Sequence, residues 1–163
     1  MTTHQKTMVK KDLANKTIVV TREFASSQDK VWEAWTTTLL DEWWAPKPWK
    51  AITKSLDFKV GGYWLYCMTG PEGEQMWSRV DYLTIDANNS FSAQDAFSDE
   101  QGNKNDDFPS MHWVNVFSTI PGGTKVEVTI TFTKEEDMNK ILEMGFETGF
   151  SMGLDNLDDL LAR

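Results

Sequence analysis

The sequence is poor in the residues that cross-link a chain or bind transition metals. It contains a single cysteine, Cys67, and two histidines, His4 and His112. One cysteine excludes an intrachain disulfide and a multi-cysteine zinc site, and neither a His-Glu-x-x-His nor a Cys-x-x-Cys spacing occurs. We therefore predict no metal site and no cofactor. Cys67 is interpreted as a small hydrophobic residue of a buried strand.

The signatures of common enzyme classes are missing as well. There is no Gly-x-Ser-x-Gly nucleophile elbow, and no glycine-rich loop for phosphates or dinucleotides. The acidic segment 99–107 lacks the glycine placement of an EF-hand, so we interpret it as a solvated hairpin loop. What remains for catalysis is a small number of individual side chains.

Two of these side chains are candidate acid–base groups, Asp95 and His112. Asp95 lies on the same face of a predicted strand as Phe91 and Phe97. Its carboxyl group would be buried, with a raised pKa, if that strand face points inward. If the face points outward, Asp95 is an ordinary surface charge, and this is the interpretation that we favour. For His112 we favour a structural role over a catalytic one.

Long apolar runs and positive charge are also scarce. No stretch approaches a membrane span of about 20 apolar residues, and segment 1–16 has no apolar stretch of signal-peptide length. A net charge of −9 repels phosphate backbones, so we expect no nucleic-acid partner. The expected location is the cytoplasm. We predict a flexible tail at 1–16 and a single domain at 17–163.

The apolar pattern of the remaining chain predicts an α+β domain. Segment 17–24 is a predicted strand, and capping residues Ser26 and Thr38 then begin two short helices. From 51 to 132 the apolar period is two, as expected for strands. These strands are predicted at 51–58, 63–69, 74–85, 90–98, 111–120 and 124–132.

A helical period returns at 138–161 and predicts one helix of about 25 residues. We therefore predict a curved antiparallel sheet of about seven strands wrapped round this long C-terminal helix, because no other element can cover the apolar face of the sheet. The two short helices would close one end of the space between sheet and helix.

Three glycines, Gly145, Gly149 and Gly153, form a stripe along the predicted helix. Each costs roughly 1 kcal/mol relative to alanine in a helix interior. The sum for three glycines is a large fraction of a total stability of about 5–15 kcal/mol. Two explanations stay open. Either the helix backbone approaches the sheet closely, or the missing side chains leave volume for a ligand.

Eight tryptophans are the other unusual feature of the composition. Such aromatic surface serves either a packed core or the wall of a ligand cavity. Aromatic and soft side chains coincide with the predicted space beneath the helix, so we predict a cavity there. Its candidate ligand-binding residues are Trp43, Trp64, Tyr66, Met68, Phe97, Trp113, Asn115, Phe146, Gly149, Phe150 and Gly153.

Four segments, taken in order, resemble one known family. They read VWEAWT at 31–36, WWAP at 43–46, LDFKVGGYW at 56–64 and GPEG at 70–73. Together they are similar to the homologues of the activator of the heat-shock protein 90 ATPase, within the START-like (SRPBCC) superfamily. The resemblance covers about 17–162. One departure is Ala45, where the family pattern usually has glycine.

The resemblance implies a helix-grip fold with a cavity between the curved sheet and the long helix. Its superfamily includes lipid and hormone carriers, polyketide cyclases and a co-chaperone domain, and no catalytic residue is carried over. We expect binding of a small apolar or aromatic ligand rather than catalysis. The alternatives are a cyclase or dehydratase that uses Asp95 or His112, and a module that stimulates a chaperone ATPase. These 163 residues lack the extra N-terminal domain of the eukaryotic co-chaperone, which argues against the last alternative.

Overall fold

Eight antiparallel strands form one sheet in the order β1-β2-β8-β7-β6-β5-β4-β3. The coordinates are a computed structural model that describes residues 7–163. The strands are β1 (Met8–Asp12), β2 (Thr17–Phe24), β3 (Lys50–Leu56), β4 (Tyr63–Thr69), β5 (Gln75–Asp86), β6 (Ser90–Ser98), β7 (Met111–Ile120) and β8 (Gly123–Thr131). The helices are α1 (Gln28–Thr36), a 3₁₀ helix (Thr38–Glu42), α2 (Glu135–Glu143) and α3 (Phe146–Leu161).

One face of the sheet is apolar because alternate residues of each strand point to the same side. In β8 the inward residues Val126, Val128 and Ile130 are buried, as their alternation predicts. The strand register shifts by one residue in β3 and in β5, and such an unpaired residue increases the local twist of a sheet. The helices pack against this face in one apolar cluster with the strands, which confirms the predicted α+β helix-grip fold.

The predicted flexible tail is wrong where it includes β1. This strand pairs with β2 in antiparallel register, from Met8 opposite Thr21 to Asp12 opposite Thr17. It brings the number of strands to eight instead of about seven. An edge strand is held by backbone hydrogen bonds and carries mostly polar residues, so its sequence has little apolar signal. The remainder of the predicted tail before Thr7 lies outside the described residues.

The single long helix is also a wrong prediction, because the chain breaks it into α2 and α3. Gly145 stands at the break with a φ of 88°, a left-handed conformation that glycine adopts without a steric penalty. Gly145 therefore does not belong to a mid-helix stripe. Gly149 and Gly153 do lie within α3.

Among residues 7–163, no helix is long and apolar enough to cross a membrane.

Candidate functional site

A cavity of about 390 Å³ lies between the sheet and helices α2 and α3. Its size falls in the range of small-molecule sites, about 300–1,000 Å³. Strands β4 to β7 form one wall, and the segment after the 3₁₀ helix together with α2 and α3 forms the other. Met76 and Met144 line the cavity and are also exposed on the outside of the protein. These two side chains mark where the cavity opens to solvent.

Strand register explains which side chains form the wall. Tyr66 of β4 is paired with Ser78 of β5, and Ser78 is paired with Phe97 of β6. Asp95 of β6 is paired with Met111 of β7. Paired residues of neighbouring antiparallel strands point to the same face, so all five of these side chains reach the same cavity.

Three aromatic rings enclose the apolar part of the cavity. The ring centroids of Trp44 and Trp113 are 5.9 Å apart, those of Trp44 and Phe150 are 5.8 Å apart, and those of Trp113 and Phe150 are 5.6 Å apart. Phe146 extends this group, with its centroid 5.5 Å from that of Phe150. Rings at these separations and angles support one another in tilted and edge-to-face contacts.

A polar group lies within this aromatic wall. Asp95 accepts two hydrogen bonds, from the indole N–H of Trp113 to Oδ2 at 2.8 Å and from the backbone N–H of Met111 to Oδ1 at 3.1 Å. Nearby, the indole N–H of Trp44 donates to the hydroxyl oxygen of Tyr66 at 3.0 Å. These bonds orient the indole of Trp113 towards Asp95 and the indole of Trp44 towards Tyr66.

The cavity wall changes the acidity of both groups. Burial raises the pKa of Asp95 to about 7, although the hydrogen bonds from Trp113 and Met111 oppose this shift. Burial also raises the pKa of Tyr66, and the negative charge of Asp95 adds to that effect. Asp95 is the carboxyl group that titrates near neutral pH within the cavity, while Tyr66 stays protonated.

The surface position that we favoured for Asp95 is therefore wrong, and the inward alternative holds. His112, the second candidate acid–base residue, precedes Trp113 and points to the opposite face of the sheet, where it pairs with Gln94 and Thr131. It does not line the cavity. Of the two candidate acid–base residues, Asp95 therefore lines the cavity, whereas His112 lies on the other face of the sheet.

Most of the predicted ligand-binding residues surround the cavity. Tyr66, Met68 and Phe97 line it from the strands, as does Trp113. Phe146, Gly149 and Phe150 line it from α3 and its N-terminus. Trp64 and Asn115 lie instead at a neighbouring void of about 30 Å³, which has the size of a water site rather than of a ligand site.

Trp43 and Gly153 do not line either space, so their predicted ligand-binding position is wrong. Trp43 is buried in the core, and its indole N–H donates to the carbonyl oxygen of Ala34 at 2.9 Å. A Cβ atom at Gly153 would lie 3.1 Å from the carbonyl oxygen of Trp44. Gly153 therefore allows α3 to approach the backbone of the tandem tryptophans.

Gly149 has a different environment. A Cβ atom there would meet only Pro46 Cγ, at an ordinary contact distance of 3.8 Å, and the residue lines the cavity. The two explanations for the glycine stripe thus apply to different positions. Close backbone approach explains Gly153, although the approach is to the tandem tryptophans and not to the sheet. Free volume fits Gly149.

Sequence reasoning missed several lining residues. Trp44, Pro46 and Trp49 follow the 3₁₀ helix, where no periodicity indicates which side chain points inward. Met76 and Ser78 of β5 could have been predicted, because they share a strand face with Val80 and pair with inward residues of β4.

Among residues 7–163, no group of three or more His, Cys, Asp or Glu side chains is arranged to hold a metal ion.

Comparisons with known proteins agree with this architecture. A family model described as "Activator of Hsp90 ATPase homolog 1-like protein" matches residues 25–162. A crystal structure of a protein from Mycobacterium smegmatis is 32% identical, covers 96% of this chain and 97% of its own, and has a TM-score of 0.88. A solution structure of a protein from Arthrobacter aurescens is 31% identical over 95% of this chain and 91% of its own, with a TM-score of 0.89.

A crystal structure described as the AHSA1 protein from Silicibacter pomeroyi shares the fold at 20% identity. It covers 90% of this chain and 97% of its own, with a TM-score of 0.70. The comparison with curated proteins gives no significant match.

Proposed function

The chain belongs to the family of Activator of Hsp90 ATPase homolog 1-like proteins, and we propose that it binds a small hydrophobic or aromatic molecule in the cavity between sheet and helices. The observation that carries the proposal is a cavity of about 390 Å³ whose wall is mainly aromatic and aliphatic. The cavity opens to solvent beside Met76 and Met144, so a small molecule has a way in. Concave, mainly apolar sites of this size commonly bind small molecules.

The composition of the wall supports this proposal. Aromatic rings and methionine side chains supply apolar contact area, and methionine adapts its shape to different partners. A few polar groups, the hydroxyls of Tyr66 and Ser78 and the carboxyl of Asp95, are placed among them. Ligand sites commonly combine an apolar wall with a small number of polar groups that orient the bound molecule.

Gly149 gives independent support. Replacing it by alanine would remove a helix penalty of roughly 1 kcal/mol without a steric clash, because its Cβ would meet only Pro46 at 3.8 Å. Glycine at position 149 therefore makes the helix less stable than alanine would. Because glycine has no side chain, the volume of the cavity is preserved.

Isothermal titration calorimetry with naphthylethanol, a neutral aromatic probe, tests the proposal. We expect saturable binding to the wild-type protein, and a loss of at least roughly tenfold in affinity for Gly149→Leu, because the added side chain occupies the cavity. Gly149→Ala is the matched control and should bind the probe nearly as well as wild type. Equal binding of the probe to the folded Gly149→Leu variant would contradict the proposal. So would the absence of binding to wild type both by this probe and by charged probes with the same aromatic body.

A second candidate function is a cyclase-like or dehydratase-like enzyme. The observation that favours it is the Asp95 carboxyl group in the cavity, with its pKa raised to about 7 by burial, since a general base works best when its pKa is near the operating pH. In this reaction the Asp95 carboxylate would remove a proton from the carbon next to a substrate carbonyl.

Deuterium exchange at the carbon next to the carbonyl of naphthylacetone, followed by NMR in heavy water, tests this second function. An enzyme of this kind accelerates the exchange, and Asp95→Asn abolishes the acceleration. Exchange at the same rate with and without protein would exclude this hypothesis.

A third hypothesis, stimulation of a chaperone ATPase, rests on the family description alone. An ATPase assay with purified components tests it.

A further inference from the structure

The charge of Asp95 is not balanced by a basic residue of the cavity. Among the described residues, the lining includes no lysine, arginine or histidine. The groups that hold the carboxyl, the Trp113 indole and the Met111 backbone N–H, are both neutral donors. The titratable side chains that share a cavity wall with Asp95 are Tyr66 in the main cavity and Tyr82 in the smaller void, and neither supplies positive charge.

The carboxylate also keeps unused acceptor capacity. An ionised carboxylate offers about four lone-pair positions on its two oxygens. Each oxygen of Asp95 accepts one bond from the protein, so each retains a further position. Because Asp95 lines the cavity and is only partly buried, a ligand group can reach these positions.

Aromatic rings share the cavity wall with the Asp95 carboxyl group. Trp44, Trp113 and Phe150 contact one another with centroids 5.6 to 5.9 Å apart. The electron-rich face of an aromatic ring attracts cations, and tryptophan does so most strongly. An unbalanced carboxylate beside such rings favours a positive charge, and it disfavours an anion through like-charge repulsion.

We propose that the molecule bound in the cavity is an amine with an apolar or aromatic body, whose protonated nitrogen pairs with Asp95 while the body packs against Trp44, Trp113 and Phe150. This inference rests on the proposed binding function and specifies the chemical class of the ligand. A neutral hydroxyl would satisfy a hydrogen bond to Asp95 but would not compensate its charge.

The protonation of Asp95 makes this inference testable through pH. Burial raises the pKa of Asp95 to about 7, so the carboxyl gains its negative charge as the pH rises through neutrality. An alkylamine keeps its proton over this range, since the ordinary pKa of a lysine amine is about 10.4. Affinity for an amine should therefore increase with pH, whereas affinity for a neutral alcohol should change little.

The experiment compares three probes with the same aromatic body: naphthylethylamine, naphthylethanol and naphthylacetate. Calorimetric titrations of the wild-type protein are made at about pH 5.5, 7 and 8.5. At the highest pH we expect the amine to bind at least roughly tenfold more tightly than the alcohol, the gain of a charge-assisted hydrogen bond, and the acetate to bind most weakly. Asp95→Asn should remove both the preference for the amine and its pH dependence.

The possible outcomes distinguish a failure of the amine inference from a failure of the binding function. If the alcohol binds as tightly as the amine at every pH, or if Asp95→Asn keeps the amine preference, the amine inference is overturned and the binding function stands. If none of the probes binds the wild-type protein, the proposed function fails and the inference fails with it. The wild-type pH series needs no variant, so a folding defect in Asp95→Asn does not prevent the test.

Discussion

Trp113 and Asp95 are joined by a hydrogen bond from the indole N–H to Oδ2, 2.8 Å long, at the wall of the cavity. The bond fixes the direction of the carboxyl group and of one of the three enclosing rings. It links the only part of the described cavity that titrates near neutral pH to the aromatic surface on which a ligand would pack.

The first prediction concerns stability against pH. The pKa of Asp95 is about 7 in the folded chain against an ordinary value of 3.8. Between these values the folded state retains a proton that the unfolded chain releases, so the free energy of unfolding falls as the pH rises. At 1.36 kcal/mol per pKa unit, we expect wild type to lose about 2.5 kcal/mol between about pH 5 and pH 8.

Urea denaturation at several pH values, followed by tryptophan fluorescence, measures this loss. Asp95→Asn is the control, because an amide does not titrate, and its curve should lack the component due to Asp95. If the free energy of unfolding changes with pH in the same way for wild type and Asp95→Asn, the pKa of Asp95 is not raised in the folded protein.

The second prediction uses the two glycines of α3 as a matched pair. Gly149→Ala should stabilise the protein by up to about 1 kcal/mol, because helix propensity improves and the new Cβ meets only Pro46 at 3.8 Å. Gly153→Ala should destabilise it by roughly 1–3 kcal/mol, because its Cβ would lie 3.1 Å from the Trp44 carbonyl oxygen. Chemical denaturation of both variants checks this, and changes of the same sign would contradict the assignment.

The third prediction concerns Arg22, a buried cation that joins β2 to α3. Its guanidinium bonds to the carboxylates of Asp155 and Asp158 and to the hydroxyl of Thr7. Removing one partner of a buried ion pair costs roughly 3–5 kcal/mol, so we expect a loss of this size for Arg22→Met.

The two acidic partners of Arg22 provide the control for that experiment. The side chain of Asp158 is 12% exposed, and that of Asp155 is 38% exposed. Water screens the more exposed pair, so Asp155→Asn should cost less stability than Asp158→Asn in the same denaturation assay. A larger loss for Asp155→Asn would contradict this account of the cluster.

The fourth prediction concerns the break between α2 and α3. Gly145 has a φ of 88°, and a residue with a Cβ atom is strained there by roughly 1–2 kcal/mol. Gly145→Ala should lower the free energy of unfolding by about this amount, although a Cβ would meet no neighbouring atom within 4 Å. Gly145→Asn should cost less, since asparagine tolerates the left-handed region. An alanine variant as stable as wild type would indicate a continuous helix.

Much of the architecture was predictable from local patterns. Strands β4, β6 and β7 begin and end at the predicted residues, because alternating apolar residues there lie between clear turn signals. β1 was not predictable in this way, since an edge strand with only two apolar residues, Met8 and Val9, is held mainly by backbone pairing. The break at Gly145 was also missed, because a glycine can continue a helix or end it, and the packing around it decides.

The site was predictable in kind but not in detail. Aromatic residues on strand faces indicated a cavity, and strand parity left two alternatives for Asp95. Which of the tandem tryptophans points inward was not predictable. Trp43 ends the 3₁₀ helix and is buried in the core, whereas Trp44 reaches the cavity. The backbone of both tryptophans packs against α3 at Gly153, a contact between residues that are distant in sequence.

Isotope-filtered NMR of the labelled protein with unlabelled naphthylethanol shows whether the cavity is the binding site, because it locates the bound probe. We predict intermolecular contacts from the naphthyl protons to the rings of Trp113 and Phe150 and to the Gly149 α-protons. Contacts only to residues exposed elsewhere on the protein, such as Leu83 and Val116, with none to those cavity residues, would show that the cavity is not the binding site.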